Sequence, residues 1–390
     1  MSAYNWPLMK NSISLLDRAK LAKFVLTSNK FTQGKKVEEF EEEWSRWLGC
    51  SHSLFVTSGS TANFLLVSAI IEEYGLRRGD QVLLPSCTWV TNINPIIQLG
   101  LTPVFCDVNL ENYSFDLENL ESISKTYPDI RLVFSTHLLG IPSPTEEYRK
   151  FFPDALFIDD VCESHGCLDS NGEKVGKNSL GATFSFYFGH HMSTVEGGMI
   201  STNNTALYDI MKMKRSHGLA RASNQFDYYK NQNPEIEASF LFVSDGYNFR
   251  NTEFSAVLGL SQLKRLDSFI ENRRSTYNRF VKIMSCENNR DNFYPIVYNK
   301  GNSSFSFPFI CKTKEIKSAL ISLLKKHKIE YRPVVGGNLL RQPYLKNYSV
   351  CGKKENLNVD ILHENGIYIG NNQFVTQTDM DLLEKILGEL

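Results

Sequence analysis

No apolar run in this 390-residue chain approaches the roughly 18 residues that cross a bilayer, so no membrane-spanning helix is expected. Neither sign of charge dominates: 42 Lys and Arg stand against 43 Asp and Glu. That balance leaves no basic footprint for nucleic acid and none for an anionic membrane surface. The start, MSAYNWPLMKNS, lacks a charged n-region followed by an apolar h-region, so no secretory leader is expected and the cytoplasm is the expected compartment. Eight cysteines are present, yet none forms a C-x-x-C pair or a zinc-type spacing with histidine. They read as free thiols in a reducing compartment. An iron–sulfur cluster would need three or four of them together, and their spacing gives no sign of it. One more absence is local. No lysine lies between Lys177 and Lys212.

What is present is ordinary for a globular chain, 42% apolar and 22% charged, and long enough for two or three domains. Apolar runs at 53–57, 81–84, 103–107, 131–135 and 155–159 have strand length, and amphipathic stretches at 60–73 and 89–99 read as helices between them. Continuous apolar strands alternating with helices predict an α/β fold with a large, mostly parallel sheet covered on both faces. Residues 182–188 and 198–202 add two strands, and 205–217 reads as a helix. The polar stretch 222–237 reads as a mobile loop. A helix with few breakers over 252–284 links a large domain (1–250) to a smaller α+β domain (251–390), whose strand is expected at 305–310 and helices at 314–326 and 378–388.

Several residues in this frame can carry chemistry. Thr57-Ser58-Gly59-Ser60-Thr61-Ala62-Asn63 joins a strand to a helix, which suits an anion such as phosphate. An ordinary N-cap is the competing reading. Asp160 ends the strand at 155–159, where ligands of open α/β sheets sit; its neighbour Asp159 competes for the role, and either could simply cap a helix. Trp89 can stack on a flat ring or belong to the core. Ser185, His190 and His191 lie in the stretch 182–200, ATFSFYFGHHMSTVEGGMI, which ends in Glu196-Gly197-Gly198. An imidazole there moves protons near neutral pH. No second ligand cluster supports a metal at this pair.

Taken in order, the marks FTQGKKVEEFEE (31–42), TSGSTAN (57–63), LPSCTWVTNINP (84–95), IDDVCES (158–164) and SFYFGHHMSTVEGG (185–198) resemble the DegT/DnrJ/EryC1 family. RSHGLAR (215–221), DGYNFRNTEFSAVLGLSQLKRL (245–266) and YRPVVGGN (331–338) extend the resemblance through nearly the whole chain. The family has the fold-type-I, aspartate aminotransferase-like architecture and uses pyridoxal 5'-phosphate and its pyridoxamine form on nucleotide-linked sugars. Its aminotransferases resemble S-F-x-x-x-K-x-x-x-x-x-E-G-G in this segment, and that frame puts His190 on the lysine. Histidine cannot tether an aldehyde cofactor, but it can act as acid and base. The resemblance therefore implies the histidine subgroup, which removes the C3 hydroxyl of an NDP-4-keto-6-deoxyhexose with L-glutamate as amino donor. GDP-4-keto-6-deoxymannose is the favoured substrate, no iron–sulfur cluster is involved, and the product is a 3,6-dideoxysugar for O-antigen lipopolysaccharide or another surface glycan.

Carried over by residue, the resemblance implies that Ser60, Thr61 and Ser185 bind cofactor phosphate, with Asn248 reaching over from the second subunit of a homodimer. Trp89 would stack on the ring, Asp160 would pair with its nitrogen, and Glu163 would lie on its hydroxyl side. His190 would be the acid/base. His217, Arg221, Arg250 and Arg332 are candidate contacts to sugar, nucleotide or glutamate. An ordinary aminotransferase using another lysine is the nearest alternative; Lys212 and Lys214 are the next available, on what reads as a solvated helix face. A binding or regulatory protein that has lost its chemistry is the other, against which the retained Asp160, Trp89 and phosphate loop speak.

Overall fold

A computed structural model describes residues 4–296, 299–352 and 357–390. The first three residues of the amino-terminal stretch discussed above lie outside them. Seven strands form one sheet: β1 (His52–Val56), β2 (Gln81–Pro85), β3 (Thr102–Cys106), β4 (Leu132–Thr136), β5 (Leu156–Asp160), β6 (Gly181–Ser185) and β7 (Gly198–Thr202). Their order is β1-β7-β6-β5-β4-β2-β3, and only β7 runs antiparallel to its neighbours. The remaining pairs are parallel, as strands joined through helical crossovers must be.

Alternation along each strand separates two cores. Leu54 and Val56 of β1 face a layer with the helices Gly59–Tyr74, Val90–Gln98 and Thr205–Arg215, while Phe55 faces Phe40, Trp44, Phe184 and Phe186. The helix Glu253–Met284 leaves this second layer and ends in the core of a smaller unit, where Tyr277, Phe280 and Ile283 are buried. There β8 (Ser306–Ile310), β9 (Tyr331–Pro333) and β10 (Gly366–Gly370) form an antiparallel sheet of order β8-β10-β9. Trp6 crosses into that core, its indole N–H donating to the Gly370 carbonyl at 2.8 Å. The division expected at 250/251 falls just before the long helix.

Three sequence expectations need correction. The stretch 222–237 is not all loop: Phe226–Gln232 is a helix with no buried residue, so apolar periodicity could not reveal it. Its approach is tied down by Asp209, which accepts from the Ser223 hydroxyl and from the Asn224 N–H. The helix expected over 205–217 stops at Arg215, because His217 and Gly218 take left-handed backbone angles. Lys214 does not lie on a solvated face; it is buried and paired with Glu72 and Asp245. Among the described residues, no helix is long and apolar enough to cross a membrane.

Candidate active site

A cavity of about 560 Å³ opens beyond the carboxyl ends of β5 and β6, where open α/β sheets bind their ligands. The large sheet supplies Ser60, Trp89, Asp160, Glu163, Ser185 and His190, and the small unit supplies Phe305, Arg332 and Tyr368.

One wall is the amino end of the helix Gly59–Tyr74. Ser58 and Thr61 cap it reciprocally, each side chain accepting from the other's backbone N–H. Thr61 also bonds Thr57, so its hydroxyl is committed to the cap and it does not line the cavity. The N–H groups of Gly59 and Ser60 have no partner inside the helix, as first-turn amides never do. Ser185 closes on this end so tightly that a Cβ on Gly59 would lie 2.7 Å from its Cβ. Gly198 is required for a similar reason, since its Cβ would lie 2.2 Å from the Ser58 carbonyl oxygen.

Asp159 and Asp160 point to opposite faces, as successive strand residues must. Asp160 lines the cavity. Its Oδ2 accepts from the side-chain amides of Asn63 (2.9 Å) and Asn92 (3.0 Å), and its Oδ1 accepts from the Cys162 N–H (2.9 Å). Asp159 turns away from it and accepts from Ser179 and Thr145, with His137 Nε2 at 3.5 Å. Glu163 accepts from the Leu139 N–H at 2.9 Å. Burial, reinforced by the Asp160 charge, pushes its carboxyl up to about 7.

Trp89, 56% exposed, stands at the mouth as the N-cap of its helix rather than in the core. Unpaired helix amides beside a serine, a flat aromatic face and a fixed buried carboxylate fit the phosphate, ring and ring nitrogen of a pyridoxal phosphate.

The histidines divide as the strands' aspartates do. His190 faces the cavity, with Nδ1 as its buried nitrogen. His191 is buried, its Nε2 3.0 Å from the Ser303 carbonyl. The loop that carries them closes on itself through Phe186 and Gly197 and is anchored by Gln262 of the long helix, which accepts from the Ser193 N–H. Burial, and then the Arg273 charge, lower His190 to about 3; the same causes, with neighbouring histidines, hold His165 and His191 well below the usual range. All three rings are therefore neutral at pH 7.

That neutrality has a consequence for stability. Below about pH 6.5 the unfolded chain binds protons that these three folded imidazoles refuse. Stability is present above that pH and is lost as pH falls, down to about 3 for His190, by about 1.4 kcal/mol per pH unit for each imidazole. Urea denaturation between about pH 7.5 and 5 should show the loss, and His165→Phe should flatten it by one imidazole's share. An unchanged slope in that variant would show that His165 is charged in the fold.

Asn248, His217, Arg221 and Arg250 lie outside the cavity of the single chain. Arg250 Nε donates to Asn248 Oδ1 at 3.1 Å and its Nη2 lies 3.5 Å from His217 Nε2, whereas Arg221 is exposed in a separate turn. Sequence reasoning missed Cys162, Tyr187, Phe305, Tyr368 and the amino-terminal pair Leu8 and Met9, all of which line the cavity. Cys162, two residues beyond Asp160, and Tyr187, three before His190, carried a local signal. Among the described residues, no group of three or more His, Cys, Asp or Glu is arranged to hold a metal ion.

Comparison with known proteins agrees with this architecture. The profile of the DegT/DnrJ/EryC1/StrS aminotransferase family matches residues 16–381. A GDP-4-keto-6-deoxy-D-mannose 3-dehydratase of Yersinia pseudotuberculosis is 34% identical over 93% of this chain and 91% of its own. A crystal structure of GDP-4-keto-6-deoxymannose-3-dehydratase, a histidine-to-asparagine mutant with bound GDP-perosamine, superposes with a TM-score of 0.89 at 30% identity over 98% of this chain and 100% of its own. Another, with a trapped PLP-glutamate geminal diamine, gives a TM-score of 0.87 at 30% identity over 98% and 100%. The chain belongs to the DegT/DnrJ/EryC1/StrS aminotransferase family.

Proposed function

We propose that this protein is a pyridoxal-phosphate-dependent 3-dehydratase of GDP-4-keto-6-deoxymannose, with L-glutamate as the amino donor. The observation that carries the reading is the composition of the cavity: Ser60, Trp89, Asp160 and Ser185 line it together with the imidazole of His190. No lysine is among the described residues lining it. Lys212 and Lys214 lie on another helix, bonded to Asn224 and to Glu72 and Asp245, respectively. The relatives named above bind or act on the same classes of molecule.

When bound, the pyridoxamine form supplies an amine for the C4 ketone and a ring that takes up an electron pair, so that the C3 hydroxyl can be expelled. The chain's residues do the rest. Ser185 and the amides of Gly59 and Ser60 hold phosphate, Trp89 covers the ring, and Asp160 keeps a proton on the ring nitrogen. Glu163 lies toward the ring hydroxyl. His190 Nε2 takes the proton from the carbon that bears the amine and passes one to the departing C3 hydroxyl, so it ends neutral. Arg332 meets the substrate or glutamate carboxylate from the small unit. Asn248, Arg250, His217 and Arg221 act on the cofactor phosphate and nucleotide of a second copy in a homodimer; the exposed Trp89 and Tyr187, which line the cavity, suit such a partner.

The test is incubation of the holoenzyme with glutamate and GDP-4-keto-6-deoxymannose, read by mass spectrometry. Ammonia and a 4-keto-3,6-dideoxy sugar nucleotide are expected, and borohydride should fix no cofactor to the chain. A stable amino sugar as product, or a cofactor-labelled lysine, would refute the reading in favour of amino transfer.

A further inference from the structure

Behind His190 lies a cluster of nitrogen atoms that the mechanism above does not use. His165, five residues beyond Asp160, is fully buried, and neither of its ring nitrogens has a hydrogen-bond partner. Its ring lies 6.1 Å from that of His190 and 5.3 Å from that of His191, centre to centre. Nδ1 of His190 and Nδ1 of His191 are likewise buried and unpartnered. Around the three rings stand Trp44, Phe184, Phe186 and Phe305, and the Arg273 charge bears on all three. Arg273 itself is held by backbone carbonyls of Ser304, Phe305 and Asn371.

Four orphaned nitrogens in one apolar shell are rare, because buried polar groups are nearly always paired. Each neutral imidazole carries one N–H and one bare nitrogen. At 6.1 Å between centres the rings of His165 and His190 are too far apart for a direct bond, but the spacing suits one buried water that joins a donor on one to an acceptor on the other. Which nitrogen of a working histidine is bare is set by the bond its other nitrogen makes. A base poised at Nε2 therefore needs an acceptor for its Nδ1–H, the part a third group plays behind other catalytic bases.

We propose that His165 is a positioning residue for His190: through one buried water it accepts the Nδ1–H of His190, and so keeps Nε2 bare toward the cavity. The inference rests on the proposed function only in calling His190 the base; the tautomer itself is a property of the chain.

Two variants test it. His165→Phe keeps an aromatic ring among Trp44, Phe184 and Phe186 but removes both nitrogens, and His165→Gln restores an acceptor. In holoenzyme with 15N-labelled histidine, the His190 resonances, assigned by their loss in His190→Asn, should show a protonated Nδ1 and a bare Nε2. His165→Phe should give a mixture of tautomers. Its kcat should fall by about 10–100-fold, the scale of second partners to metal-bound imidazoles, at unchanged KM and cofactor affinity, with partial recovery in His165→Gln. A His165→Phe enzyme with parental 15N shifts and kcat within about twofold of the parent would overturn the proposal, as would a His165→Gln variant impaired equally. If the parent shows the expected tautomer and its change but dehydrates no sugar nucleotide, the function reading falls and this one stands.

Discussion

His190→Asn is expected to lower dehydration by about 10²–10⁴-fold, the usual worth of a placed general acid–base, and to leave cofactor binding nearly unchanged. An asparagine amide neither gains nor loses a proton near neutral pH, so the transfer from carbon to hydroxyl has no carrier. The loop does not depend on the imidazole for its shape. It is held by the His190 N–H on the Tyr187 carbonyl, by Gln262 on the Ser193 N–H and by His191 against the Ser303 carbonyl. The groups proposed to hold the cofactor, from Ser60 to Asp160, belong to other elements. Ammonia release reads the first effect, and titration with pyridoxal phosphate, followed by absorbance, reads the second. Full activity in the variant would remove His190 from the mechanism; loss of cofactor binding would make it a structural residue.

The walls of this cavity are legible in the sequence where local order decides geometry. The strand-to-helix turn at 57–63 and the end of β5 could be read as ligand positions because each follows directly from one apolar run. Even the choices left open there have local answers: Asp159 and Asp160, being consecutive strand residues, face opposite ways, and Asp160 takes the cavity. Which member of the His190-His191 pair faces in was given only by alignment to a lysine, since a loop has no fixed period. Phe305 and Tyr368 come from the far unit, and Leu8 and Met9 from the chain start. Nothing in their neighbourhoods marks them, because long-range packing alone brings them to the cavity. His165 is hidden in the sequence for the same reason. A histidine in an apolar stretch reads as core, and only the three-dimensional count of unpaired nitrogens sets it apart.

Asp160→Asn is expected to cost activity about 10²–10³-fold, on the scale of removing one preorganised electrostatic partner, and to weaken cofactor binding. The carboxylate is held by donors that are themselves fixed. Thr183 donates to Asn63 Oδ1 at 2.5 Å and Thr88 donates to Asn92 Oδ1 at 2.9 Å, so both amide groups turn their N–H toward Asp160 Oδ2. With the Cys162 N–H on Oδ1, three donors converge on the carboxylate and fix its orientation toward the cavity. An asparagine at 160 has a single acceptor oxygen. Whichever way its amide turns, an N–H meets a fixed donor, and an unmet buried donor costs about 1–3 kcal/mol. Asp159→Asn is the matched control one residue away. It loosens Ser179, Thr145 and His137 on the opposite face and should therefore lower thermal stability with far less effect on turnover. Activity, cofactor affinity and melting temperature measured on the pair separate the two faces of β5. Equal loss of turnover in both variants would show that Asp160 serves the fold rather than the ring.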